Sequence, residues 1–229
     1  ADLEAPAPPT FSVEPGVYVV PRALEQSTII MGKPSDVRLA DNEDYYAAVI
    51  GNSILGGSGL TSRLARRVRN EEGLAYAVGS VWTMPQRSRG IIGATTQTKS
   101  ESTIEVIRLI ADALGEVATV PLDDAEVRVA VDRIANGFIF NFETPSQIVF
   151  RQMLNRTQNL PLDWLERFLA GVQRVTTADV HEVLRETLPP NGLDDMVILI
   201  VGDPARFDPG LESLGPVRML EDDRAAPRP

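Results

Sequence analysis

The order of patterned segments in this chain predicts an α+β fold, a mostly antiparallel sheet with helices packed on one face. Three observations predict it. Over residues 75–84, Tyr76, Val78, Ser80, Trp82 and Met84 alternate with Ala75, Ala77, Gly79, Val81 and Thr83, as in a strand with two distinct faces. A turn over 85–90 then returns the chain as residues 91–97, its expected antiparallel partner. From about residue 102 the period becomes helical. Val106, Ile107, Ile110, Ala113, Leu114 and Val117 form one apolar face.

Residues 1–16 hold Pro6, Pro8, Pro9 and Pro15, which forbid helix and favour extended chain, so they are expected to be a linker. The domain proper is expected over 17–220, and 221–229 as a frayed tail. Residues 17–20 form a short strand ended by Pro21, and 26–32 a better one. Asp41 is placed to cap a helix over 44–55, with Asp44 in its first turn. Gly56 and Gly57, in a cluster with Gly59, stop that helix, and Thr61 caps a second one running to Asn70. Gly73 turns the chain into the alternating strand.

Further on, Ser102 and Glu105 have capping-box spacing, and Asp123 with Glu126 restarts a helix expected to reach about Phe142. Thr144 before Pro145, and Thr176 with Asp179, open two more helices, with a short one over 162–170 between them. Residues 196–201 are continuously apolar, which predicts a strand central in the sheet or buried on both faces.

A chain of 229 residues can bury a sizeable core. A net charge of −10 argues against nonspecific binding to nucleic acid or anionic lipid. Without Cys there are neither disulfides nor thiolate metal sites. No apolar run approaches a membrane span of roughly 18 residues. A Cys-free acidic chain is weakly expected in the bacterial periplasm rather than the cytoplasm. It begins with Ala1 rather than Met, and is expected to be either a processed product or a piece of something longer. Arg63, Arg66, Arg67 and Arg69 make a local basic patch, expected to be a solvated helix face.

The glycine cluster lacks the Lys of a phosphate loop and the third glycine of a dinucleotide fingerprint, and it follows a helix rather than a strand. With His181 as the one histidine, this chain cannot supply the two histidines of a zinc-peptidase helix. His181, Glu182 and Glu186 read as a solvated helix face. No GxSxG elbow is present. Arg69 closes the second helix and Tyr76 opens the strand. Both are hydrogen-bond donors, and two converging donors suit a peptide carbonyl or a developing oxyanion. On chemistry alone, a salt bridge for Arg69 and packing at a sheet edge for Tyr76 is the simpler account.

Asn52, Leu55-Gly56-Gly57, Ser62-Arg63-Leu64, Arg69 and Gly73-Leu74-Ala75-Tyr76 together resemble the M16 peptidases, the insulinase-, pitrilysin- and mitochondrial-processing-peptidase-like zinc enzymes. The strand over 26–32, Asp44-Tyr45-Tyr46, residues 144–152 and residues 197–204 fit the same family, so nearly all of the chain after residue 16 is covered. The resemblance implies an M16/LuxS-like half-domain of the C-terminal, metal-free kind. Such a half faces a zinc-bearing HxxEH half across a closed chamber. It further implies that Arg69 and Tyr76 reach the substrate there, binding the peptide carbonyl and steadying the tetrahedral intermediate. Zinc would belong to the partner half, in the same longer chain or in another subunit, and this chain alone is expected to be inactive. Alternatives are a catalytically inert scaffold or assembly subunit, and a peptide-binding module using a sheet edge.

Overall fold

The computed structural model describes residues 14–221, so most of the expected linker and tail lies outside the described residues. Among the described residues six strands form one sheet: β1 Gly16–Pro21, β2 Gln26–Ser35, β3 Ala75–Thr83, β4 Gly90–Lys99, β5 Val197–Gly202 and β6 Val217–Met219, in the order β3-β4-β2-β5-β1-β6. The pairs β3–β4, β4–β2 and β2–β5 are antiparallel, whereas β1 pairs in parallel with both β5 and β6. β2 is the spine. It pairs with β4 from Gln26↔Lys99 to Ser35↔Gly90, and with β5 from Thr28↔Val201 to Gly32↔Val197.

The helices are α1 Glu43–Asn52, α2 Thr103–Thr119, α3 Asp124–Phe138, α4 Pro145–Thr157, α5 Trp164–Arg174 and α6 Thr177–Thr187. Strand burial alternates as the period of two requires: Val17, Val19, Ile29, Met31, Ile92, Ala94, Ile198 and Ile200 face the helices and are buried. The opposite face carries exposed Ile30 and Ile91. The continuous apolar run of β5 is therefore central in the sheet, but covered on one face: Ile198 and Ile200 are buried while Val197, Leu199 and Val201 are half-buried. α2 fills the middle of the helical layer, with Val106, Ile107, Ile110, Ala113, Leu114 and Val117 all buried.

Aromatic packing joins α1, α3 and α5. Tyr46 stacks on Trp164 at 6.3 Å between ring centroids, and Phe138 on Phe168 at 4.8 Å. α3 ends at Phe138 because the chain tightens into a 3₁₀ turn, Ile139–Phe142, before α4 starts with the expected Thr144 cap. Thr144 with Gln147, and Thr176 with Asp179, are complete capping boxes. α4 stands away from the layer. Asn155 is its one buried residue among those described, while Val149, Phe150 and Met153 are exposed.

Two expected caps fall on other residues, and a third makes no side-chain bond. Asn42 caps α1, its Oδ1 accepting the Tyr45 N–H at 3.1 Å. Asp41, one residue earlier, instead accepts the Tyr46 hydroxyl at 2.6 Å and pairs with Arg167 of α5 at 3.1 Å. Ser62 replaces Thr61, its Oγ accepting the Ala65 N–H at 3.3 Å. Ser102 makes no side-chain cap; a buried hydroxyl group leads into α2 instead, with Thr103 donating to Ser27 Oγ at 2.8 Å and Ser100 to the Leu24 carbonyl at 2.8 Å.

Burial separates α2 from α4 in a measurable way. Leu114→Ala is expected to cost about 2–5 kcal/mol through lost burial and the cavity left behind. Val149→Ala on α4 is expected to stay within about 0.5 kcal/mol. Chemical denaturation of the two variants checks the contrast. The Tyr46 hydrogen bond, and secondly Arg167, hold the Asp41 carboxyl below its ordinary value. A carboxylate depressed in the folded state adds stability above its unfolded pKa and loses it as pH falls through the folded one. Tyr46→Phe should therefore move the Asp41 titration up towards the ordinary value, as read by carboxyl NMR.

Candidate functional site

The stretch between α1 and β3 is built on π-helical turns, Ser53–Gly57 and Ala65–Glu71, with a 3₁₀ turn Gly59–Thr61 between them. Such turns carry an extra residue relative to an α-helix and recur at functional sites. Here the first π-turn is pressed onto β3. A Cβ on Gly56 would lie 2.1 Å from the Ser80 nitrogen and 2.8 Å from the Gly79 carbonyl carbon, so no side chain fits. Beside this contact, Ser80 donates from Oγ to Asn52 Oδ1 at 2.6 Å. Asn52 and Gly56 of the sequence pattern thus form, with Ser80, one mechanical joint between the end of α1 and the middle of β3.

Arg63 locks the second helix to α3. Its Nε and Nη2 approach the Glu126 carboxylate at 3.1 and 2.7 Å, and Arg66 joins the same carboxylate at 3.2 Å. The Arg63 side chain is 16% exposed and Glu126 24%. Arg63 is therefore an anchor rather than part of a solvated face. The Glu126 hydrogen bond also raises its pKa further.

Just beyond the second π-turn stands Gly73, whose φ of +67° is open to glycine at little cost. The Gly73 N–H returns to the Arg69 carbonyl at 3.0 Å and the Leu74 N–H to the Val68 carbonyl at 3.2 Å. Each bond is one residue wider than in the Schellman cap of an α-helix, as the wider π-turn demands. Arg69 is half-buried on this last turn.

β3 then opens with a β-bulge. Ala75 pairs with Thr98 but Ala77 with Gln97, so Tyr76 is the extra residue. Thr98 donates to the Leu74 carbonyl at 2.6 Å and Thr96 to the Ala77 carbonyl at 2.8 Å, one on either side of it. Both threonines are buried, so their hydroxyls hold the bulge. The bulge also corrects the simple alternation read from sequence: Ala75, not Tyr76, is in phase with Val78, Ser80 and Trp82. The Tyr76 side chain itself lies outside what the structure describes. Along the backbone, Arg69 and Tyr76 come to the two sides of one tight turn at the start of β3, an edge strand of the sheet. The bulge, the paired threonines and the π-geometry carry no pattern that sequence reasoning could have read.

Among the described residues no three His, Asp or Glu side chains converge closely enough to hold a metal ion. With one His and no Cys, the residues present do not fit a zinc centre. His181 is half-buried rather than solvated, and its Nδ1 has no hydrogen-bond partner among the described residues. No helix among the described residues is long and apolar enough to cross a membrane.

Taken together, the described residues form an α+β domain of one six-stranded sheet with helices on one face and no cluster of metal ligands. Residues 2–134 match the family described as the peptidase M16 inactive domain, and the chain belongs to that family. It is 30% identical over 177 residues to an uncharacterized zinc protease of Streptomyces coelicolor, covering 75% of this chain and 37% of that one. An uncharacterized zinc protease of Mycobacterium tuberculosis is 29% identical over 174 residues, covering 76% and 39%. The chain thus spans well under half the length of these relatives. The peptidase M16 inactive domain from Pseudomonas fluorescens superposes with a TM-score of 0.73 at 28% identity, over 89% of this chain and 46% of that one. The periplasmic protease PqqL of Escherichia coli shares the fold, with a TM-score of 0.71 at 15% identity, over 89% of this chain and 22% of PqqL.

The joint is testable. Gly56→Ala drives a Cβ into backbone rather than into a movable side chain, so it is expected to cost about 1–3 kcal/mol or more. Gly59→Ala has open space around its Cβ but a positive φ, and should cost about 1 kcal/mol. Thermal unfolding of the pair checks the order.

Proposed function

We propose that this domain is the zinc-free, substrate-binding half of an M16-type zinc metallopeptidase, and that Arg69 and Tyr76 bind the peptide carbonyl and the tetrahedral intermediate. The observation that carries this reading is the turn at Gly73, which brings the last π-turn and the bulged residue of an edge strand together. Bulges re-aim side chains and cluster beside active sites. An edge strand also leaves backbone donors and acceptors open to an extended peptide.

The chemistry asked of the two side chains is modest. A guanidinium and a phenol donate hydrogen bonds to an oxygen that gains negative charge, and a donor held in place for that charge stabilises the transition state more than the ground state. The domain supplies no metal ligands and no general base in this reading. Those belong to a zinc-bearing half, in the same longer chain or a separate subunit. The names of the relatives as zinc proteases support the pairing. Exposed Phe140, Val149, Phe150 and Met153 also suit a domain that works inside a larger assembly.

Cleavage of an unstructured peptide, measured on the full-length protein or on this chain with a zinc-bearing homologue, tests the proposal. Tyr76→Phe and Arg69→Ala are each expected to lower kcat by about 10²–10³-fold, with unfolding unchanged. The 229-residue chain alone is expected to cleave nothing. An assembly whose rate ignores both substitutions would make the domain a scaffold.

A further inference from the structure

A cleft of about 780 Å³ opens between the second π-turn, the end of α2 and the first turns of α3. Its floor is small and apolar, including Ile54, Ala113 and Ala130, and its rim carries Arg63, Arg66, Arg67 and Arg133. The acids present are Glu116, Asp123 and Glu126. Glu126 is engaged by Arg63 and Arg66, and Glu116 lies 3.9 Å from Arg63. Asp123 accepts the Ala125 N–H at 2.8 Å as the cap of α3. Arg133 has no acceptor among the described residues, and Arg66 gives Glu126 a single hydrogen bond.

The geometry points to a binding site for an acidic segment of a peptide, separate from the Arg69–Tyr76 turn. Guanidinium forks match carboxylates in pairs, and the anchored Arg63–Glu126 bridge makes one wall of the cleft rigid. The apolar floor suits the small side chains between the acids of such a segment. Among the described residues no aromatic side chain lines the cleft to stack on a base, so a nucleic acid is disfavoured. Arg66 and Arg67 precede Arg69 on the same continuous helix, so an acidic segment held here would sit on the element that also carries Arg69. The site needs neither Arg69 nor Tyr76 to bind.

Fluorescence anisotropy of a labelled Glu-Ala repeat peptide with the 229-residue chain tests the inference, with a Gln-Ala repeat, a single-stranded DNA oligonucleotide and inorganic phosphate as comparison probes. The acidic peptide should bind, its affinity should fall with salt, and the Gln-Ala peptide should bind at least about tenfold more weakly. Arg66→Ala with Arg133→Ala should weaken the acidic peptide at least about tenfold, and Arg133→Ala alone should weaken it measurably. Arg89→Ala, which removes an exposed arginine paired with Asp36 elsewhere, should leave binding unchanged. The inference is overturned by equal binding of the Gln-Ala peptide, by equal loss in Arg89→Ala, by preference for the oligonucleotide, by full competition from phosphate, or by no binding up to about 1 mM.

Discussion

The contact between the backbone of Gly56 and that of Gly79 and Ser80 sets the position of everything around the candidate site. It fixes how far the first π-turn can sit from β3, and so where the 3₁₀ turn and the second helix begin. The Ser80–Asn52 hydrogen bond holds the same joint from the other side. Arg63, bound to Glu126, then ties the far end of this loop of structure to α3. The chain between these ties has little freedom in how it delivers Arg69 and Tyr76 to the start of β3.

Local irregularity is concentrated in this stretch. Two π-turns, a cap one residue too wide and a β-bulge fall between Ser53 and Ala77. The strands and helices elsewhere keep their periods, with alternating burial in β5 and a buried stripe along α2. Departures from ideal geometry need support. Here it comes from buried hydroxyls, Thr96 and Thr98 on the bulge, and from Gly56, where a Cβ would collide. A fold that spends its irregularity in one place, and props it from several sides, is organised around that place.

The α+β class, the β3–β4 hairpin and the apolar face of α2 were legible because period and turn chemistry are local. So were the Thr144 and Thr176 caps, which depend on residues within one turn. The misplaced caps failed for a different reason. Asp41 and Asn42 are both good cap residues, and a long-range bond decides between them, because Asp41 is claimed by Tyr46 and by Arg167 of α5. Arg63 looked like part of a solvated face until α3 brought Glu126 to it. The bulge at Tyr76 depends on which residue of β4 lies opposite, a fact that no single strand contains. A joint role for Arg69 and Tyr76 is allowed by their chemistry as two donors, but only the family resemblance favours it over a salt bridge and sheet-edge packing.

The sheet joins the two ends of the chain. β1 lies between β5 and β6, and β5 separates β1 from β2, although β1 and β2 are consecutive in sequence. A nascent chain that has emerged only as far as β4 can form the β2–β4 and β3–β4 ladders, but β1 has no neighbour to pair with until Val197–Gly202 arrives. Residues 2–134, the segment matched by the family, include β1 but not its partner β5. Closing the sheet is a late, long-range step of the kind that slows folding. It leaves β1 waiting while the whole helical layer is laid down.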